Sequence, residues 1–204
     1  MLQLKQAKLT LEDGTVFTGK SFGSEKAVAG EVVFYTGMTG YPESLTDPSY
    51  TGQILVSTYP MIGNYGVPVN RMENGVHAHY ESDKLHITAL IISDYSFEYS
   101  HWNAEKSLSD WLKEWDVPGI FGIDTRALTK ILREKGSMLG KIEFDDQPID
   151  FYDPNKENLV AIASCSKKEV YGNGKHKVVL VDCGVKNNII RCLLDRNATV
   201  IRVP

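Results

Sequence analysis

Period-two alternation of apolar and polar positions opens the chain. Residues 7–11 and 15–20 alternate in this way, and Glu12-Asp13-Gly14 between them is a hairpin signal. Residues 30–36, rich in valine and aromatic side chains, predict a third strand, and 53–59 a fourth. Residues 67–86 show little periodicity, and 87–93 form a near-continuous apolar run that predicts a central strand. The period then changes. Between 103 and 116, Leu108, Trp111, Leu112 and Trp115 recur at three- and four-residue spacing, which predicts one apolar helix face, ended by Pro118-Gly119. After the short run 120–123, Asp124 or Thr125 caps a second helix with Leu128, Ile131 and Leu132 inward. Arg133 and Lys135 fall in its last turn and Gly136 follows it. Residues 141–144 close this part as a strand.

Residues 145–176 are polar, with two prolines and Gly172-Asn173-Gly174, and read as a linker with one amphipathic patch at 159–163. Beyond them lies a different grammar. An apolar strand at 178–181 ends in Asp182-Cys183-Gly184, a helix follows with Ile189, Ile190, Leu193 and Leu194 inward, and 199–203 is a second strand. Strand, glycine turn, helix, strand is one parallel βαβ unit, the opening of a doubly wound domain. One such unit covers only part of its sheet, so 177–204 reads as the first quarter of a larger domain, poorly ordered alone or packed on another chain.

Composition narrows the function classes. The chain has 204 residues, 42% hydrophobic and 24% charged, enough for a substantial core. A net charge of −4 without a basic tract argues against nucleic acid as a partner. No apolar run has the length of a membrane span, and the first residues lack a signal-peptide pattern. Cys165, Cys183 and Cys192 have no framework spacing, which reads as a reduced, cytoplasmic protein.

Unusual residues concentrate between 37 and 66, a stretch rich in glycine, proline and tyrosine around one short apolar run. Such loops beside a strand present a surface to a ligand or partner. Tyr41, Tyr50, Tyr59 and Tyr65 suit a subunit interface, with core packing as the alternative. His77, His79 and His86 read as surface or loop histidines rather than metal ligands, since no third ligand accompanies them. Asp124 reads as a helix cap, and the glycines at 172, 174 and 184 make no dinucleotide fingerprint.

Five segments occur in order: LEDGTVFTGKSFG, GEVVFYTGMTGYPESLTDPSYTGQ, TYPMIGNYGV, GIFGIDTRALTKILREKGSMLGKI and VDCGVKNNIIRCLLDRNATV. Together they resemble the small, glutamine-hydrolysing subunit of carbamoyl-phosphate synthetase, over essentially the whole chain. The resemblance implies an α/β protein: a mixed β/β/α domain over 1–150, a linker over 151–176, and over 177–204 the first βαβ unit of a flavodoxin-like class I glutaminase domain. It implies hydrolysis of glutamine to glutamate and ammonia. The ammonia passes to the large subunit, the expected partner, which uses bicarbonate, ATP and magnesium to make carbamoyl phosphate for arginine and pyrimidine synthesis. No cofactor is expected in this chain itself. The family's nucleophilic cysteine, histidine and glutamate would lie beyond Pro204, so no catalytic residue is expected within 1–204 and these residues alone should not hydrolyse glutamine.

The resemblance puts Ser49, in TDPSY, against the bound glutamine. Local chemistry equally allows Asp47-Pro48-Ser49-Tyr50 to be only a turn, and both can hold. Lys186 follows the first strand of the βαβ unit, on the side where such sheets bind ligands. Asp47 and Lys186 are therefore candidates for coupling the two domains. A stand-alone interaction module without glutaminase activity is the alternative function.

Overall fold

The computed structural model describes residues 4–145 and 147–204. Seven strands close into a barrel: Gln6–Leu11, Val16–Ser21, Val28–Tyr35, Gln53–Ser57, Ala89–Ile91, Gly119–Phe121 and Met138–Glu143. Gln6–Leu11 is the seam, antiparallel to Val16–Ser21 on one side and to Met138–Glu143 on the other. The 12–14 turn forms as its residues predict: Gly14 takes a φ of 85°, and Asp13 Oδ1 accepts a hydrogen bond from Thr15 N at 2.9 Å. Four neighbouring strands, from Val28–Tyr35 across to Gly119–Phe121, run parallel.

Alternation decides which side chains meet. Ala7, Leu9 and Leu11 are buried with Val32, Ile54, Val56, Ile91, Ile120 and Ile142, and helix Thr125–Lys135 adds Leu128 and Leu132. Leu55 and Leu90 point the other way, into a second cluster with Leu45, Leu108, Trp111 and Leu112. The strand Gln53–Ser57 is thus covered on both faces, which explains its continuous apolar run. Asp124 caps Thr125–Lys135, its Oδ1 accepting from Ala127 N at 2.9 Å.

Several expectations change in detail. The helix expected over 103–116 begins only at Leu108. Ser107 caps it, and Ala104–Lys106 before it is a strand paired with Val67–Pro68. Trp111 is buried, whereas Trp115 sits at the helix C-cap and is exposed. His77 and His86 are buried rather than on the surface, because segments distant in sequence fold over them. Tyr41 is core and not interface: it is buried, its hydroxyl donates to Gly66 O at 2.5 Å, and its ring stacks on Tyr65.

The polar stretch after the barrel contributes a strand, Glu169–Tyr171, antiparallel to Ala198–Val203, which in turn runs parallel to His176–Val181. Helix Asn187–Leu194 connects the parallel pair. One face of this unit is covered by its own chain: Val185, Ile190, Ala198 and Val200 enclose Val76. Ile189, expected inward, points outward, and Val179 and Val181 are exposed too.

Candidate functional site

The candidate residues meet where the 46–50 turn touches the loop that follows His176–Val181. Thr46 ends the short helix Tyr41–Leu45, and Asp47 starts a single 3-10 turn, Pro48–Tyr50. Proline at the second residue of that turn fixes its φ, and Asp47 Oδ1 accepts from Ser49 N at 2.9 Å, so the turn is rigid before anything else touches it. The other carboxylate oxygen of Asp47 is then free to reach outward, and Lys186 Nζ lies 2.5 Å from it. Asp47 is buried and Lys186 half-exposed, so this pair is shielded on one side only. Ser49 is exposed, and its hydroxyl makes no hydrogen bond among the described residues.

The loop opposite is organised by Asp182. Its side chain is buried, with Oδ1 accepting from Gly184 N at 2.9 Å and Val185 N at 2.8 Å. Oδ2 accepts from Cys165 N at 2.6 Å and from Arg202 Nε at 2.7 Å. Burial pushes this carboxyl up, but the three backbone donors and the Arg202 guanidinium outweigh it and hold it below the usual carboxylate range. Gly184, at a φ of 92°, lies so near the turn that a Cβ on it would stand 3.3 Å from Pro48 Cβ.

Two further contacts lock the junction. Glu81 receives the start of helix Asn187–Leu194: its backbone oxygen accepts from Asn187 N at 2.8 Å, and its carboxylate accepts from Asn188 N and pairs with Arg191 at 3.0 Å. Thr46 Oγ1 accepts from Glu81 N at 2.9 Å, so the 46–50 turn and the helix share one support. Beneath them, His86 Nδ1 lies 2.8 Å from Thr51 Oγ1. Burial, with help from Lys84, lowers His86 to about 4 despite Asp47.

Asp47, Ser49 and Lys186 are thus brought together at one junction. Glu81, which joins the two sides, and Asp182 and Arg202, which hold the loop on one of them, were not singled out from the sequence. The Asp-Cys-Gly step at the end of a strand was a signal for Asp182, whereas nothing local marks Glu81. Among the described residues none of the thiols has an activating base beside it. Burial and the Asp182 carboxylate raise Cys165, while Cys183 and Cys192 are exposed, with Cys192 Sγ 4.0 Å from Asn188 Oδ1. Among the described residues no cluster of three His, Cys, Asp or Glu side chains could hold a metal ion, and no helix is long and apolar enough to cross a membrane.

The sequence profile of the carbamoyl-phosphate synthase small chain, CPSase domain, matches residues 9–142. The chain belongs to this family. Human mitochondrial carbamoyl-phosphate synthase [ammonia] is 53% identical over 206 residues, covering 100% of this chain and 14% of the relative. The multifunctional protein pyr1-3 of Dictyostelium discoideum is 52% identical over 100% of this chain and 10% of its own length. The arginine-specific small chain of Saccharomyces cerevisiae carbamoyl phosphate synthase is 47% identical, over 98% of this chain and 50% of its own length. The chain therefore spans half or less of each of these relatives. An aminopeptidase from Aneurinibacillus matches in structure at a TM-score of 0.38 and 10% identity, covering 96% of this chain and 48% of that one, too slight a likeness to bear on fold or function.

Proposed function

We propose that these residues form the N-terminal part of the glutamine-hydrolysing subunit of a carbamoyl-phosphate synthase, docking its large subunit and completing its glutamine pocket. The observation that carries this reading is the junction itself. A rigid turn, anchored through Asp47 to Lys186, holds the unengaged Ser49 hydroxyl beside the loop that ends the first parallel strand. In this reading 1–150 is the small-chain domain, 151–176 connects, and 177–204 opens a flavodoxin-like class I amidotransferase domain. Glutamine yields glutamate and ammonia there, and the large subunit consumes the ammonia with bicarbonate, ATP and magnesium. The name of the yeast relative supports arginine synthesis as a pathway served, and pyrimidine synthesis is the other outlet for carbamoyl phosphate in this reading.

Ser49 hydrogen-bonds the bound glutamine, and Asp47 with Lys186 couples the two domains. Because no thiol has a base among the described residues, residues 1–204 alone are inactive as a glutaminase in this reading. The test uses the full-length protein with its large chain. Ser49→Ala should raise KM for glutamine about tenfold, the worth of one hydrogen bond to a charged group, and leave synthesis from added ammonium unchanged. An unchanged glutamine KM sinks the assignment of Ser49.

A second reading draws on the human, mouse and rat relatives, which are named for ammonia and for the mitochondrion and match at 53–54% identity. Here the chain is an interaction module in a synthase that takes ammonia directly, and its place is the mitochondrion rather than the cytoplasm. Assaying the full-length protein with glutamine and with ammonium as alternative nitrogen donors separates the two. Turnover with ammonium alone selects the second reading.

A further inference from the structure

We infer that a groove on the far side of the barrel, between helix Thr125–Lys135 and the ends of two strands, binds a small phosphorylated anion. It does not depend on the reading of the junction. The parallel strands share one carboxyl end, and in closed parallel barrels as in open parallel sheets that end is where ligand groups gather. Thr36 directly follows Val28–Tyr35 and Thr58 directly follows Gln53–Ser57, and both line the groove. Across from them lie Arg126, Thr129, Lys130 and Arg133 of the helix, and the groove between, open to solvent, has a volume of about 670 Å³, within the range of small-molecule sites. Arg133 is steadied from behind, its guanidinium 5.4 Å from the centre of the Phe34 ring.

Charge narrows the ligand. Arg126, Lys130 and Arg133 stand at i, i+4 and i+7, so they share a helix face and repel one another. None of the three forms an ion pair among the described residues. Asp124, the acid in the lining, has one oxygen committed to capping its own helix. Three cations against one carboxylate leave an excess that a phosphate dianion matches and a single carboxylate does not.

A solvated basic stripe would look the same up to this point. Thr129 separates the two. It is 8% exposed, and its Oγ1 is enclosed without any hydrogen-bond partner among the described residues. Folded proteins pair nearly all their buried hydroxyls, and this one, like Ser57 Oγ, is left unpaired; Thr129 also lines the groove, so a turn about its χ1 would bring the hydroxyl to an acceptor bound there. A phosphate oxygen is such an acceptor, with the guanidinium and ammonium groups around it.

The test is calorimetric titration of the full-length protein with inorganic pyrophosphate. Saturable binding is expected at millimolar concentration. Arg126→Gln with Lys130→Gln should weaken it by at least about tenfold, since two charged hydrogen-bond donors are lost. Removing two exposed cations elsewhere, by Lys167→Gln with Lys168→Gln, should change it by less than about twofold, because those charges act only through screened solvent. Thr129→Val keeps the shape and removes the hydroxyl. It should weaken binding by about threefold or more while the unliganded protein melts no lower than before. Absence of saturable binding overturns the proposal, as does an equal loss in the lysine control or indifference to Thr129→Val. Binding by the isolated chain that disappears in the complex with its partner also overturns it, assigning the groove to an acidic segment of another protein.

Discussion

His86 sits among groups that pull on its proton in opposite directions. Burial and Lys84, with Arg202 adding to them, favour the neutral ring, while Asp47 and Asp182 favour the charged one, and the balance leaves it at about 4 instead of 6.5. An unfolded chain therefore takes up a proton near pH 6.5 that the folded chain refuses until about pH 4. The stability from the neutral ring is complete above pH 6.5 and is lost as the pH falls to about 4, up to roughly 3 kcal/mol. Urea titrations across that window should show a falling midpoint in the native chain and a flatter one in His86→Gln. Asp182 should be less forgiving. Asp182→Asn keeps the size but leaves Arg202 with Glu169, at 3.3 Å, as its remaining carboxylate and turns an amide donor toward backbone donors, at a cost of about 2–3 kcal/mol in denaturant unfolding. Neither residue's setting was legible locally. His86 is the last of twenty residues without period, and Asp182 finds its arginine twenty positions on, beyond a helix.

Elements were legible where their pattern was strong and hidden where pairing alone makes them. Alternation exposed the first hairpin, and the cap at Asp124 with Gly136 bounded one helix correctly. Ala104–Lys106 and Glu169–Tyr171 are polar and three residues long, and they are strands only because a partner strand lies beside them. Tyr41 looked like an interface residue because tyrosine suits both settings, and only the Gly66 carbonyl, from the far end of the same stretch, makes it core. The loop at Gly184 offers a test at this scale. Gly184→Ala forces a left-handed residue and crowds Pro48, so it should cost about 1–2 kcal/mol in unfolding free energy. Loss of the rigid junction should also speed hydrogen exchange at Ser49 N.

In the whole molecule, the barrel hides its edges and the C-terminal sheet does not. Among the described residues His176–Val181 pairs on one side only, with Val179 64% and Val181 63% exposed. An apolar edge of this kind templates association. The 204-residue chain alone should sediment as dimers or larger species at high concentration, and Val179→Lys with Val181→Lys should return it to monomer in analytical ultracentrifugation. Mixed α/β character and the small-chain family could be read from the residues, but closure of the barrel could not, because its seam joins strands more than a hundred residues apart. That seam has a consequence for how the protein is made. Of the barrel strands Gln6–Leu11 is made first, yet one of its two partners is Met138–Glu143, the last. Until the latter emerges, the nascent sheet keeps two unsatisfied borders, one on Gln6–Leu11 and one on Val28–Tyr35. A single late strand then closes both at once, so translation must pass residue 143 before this domain is safe from pairing with its neighbours on the polysome.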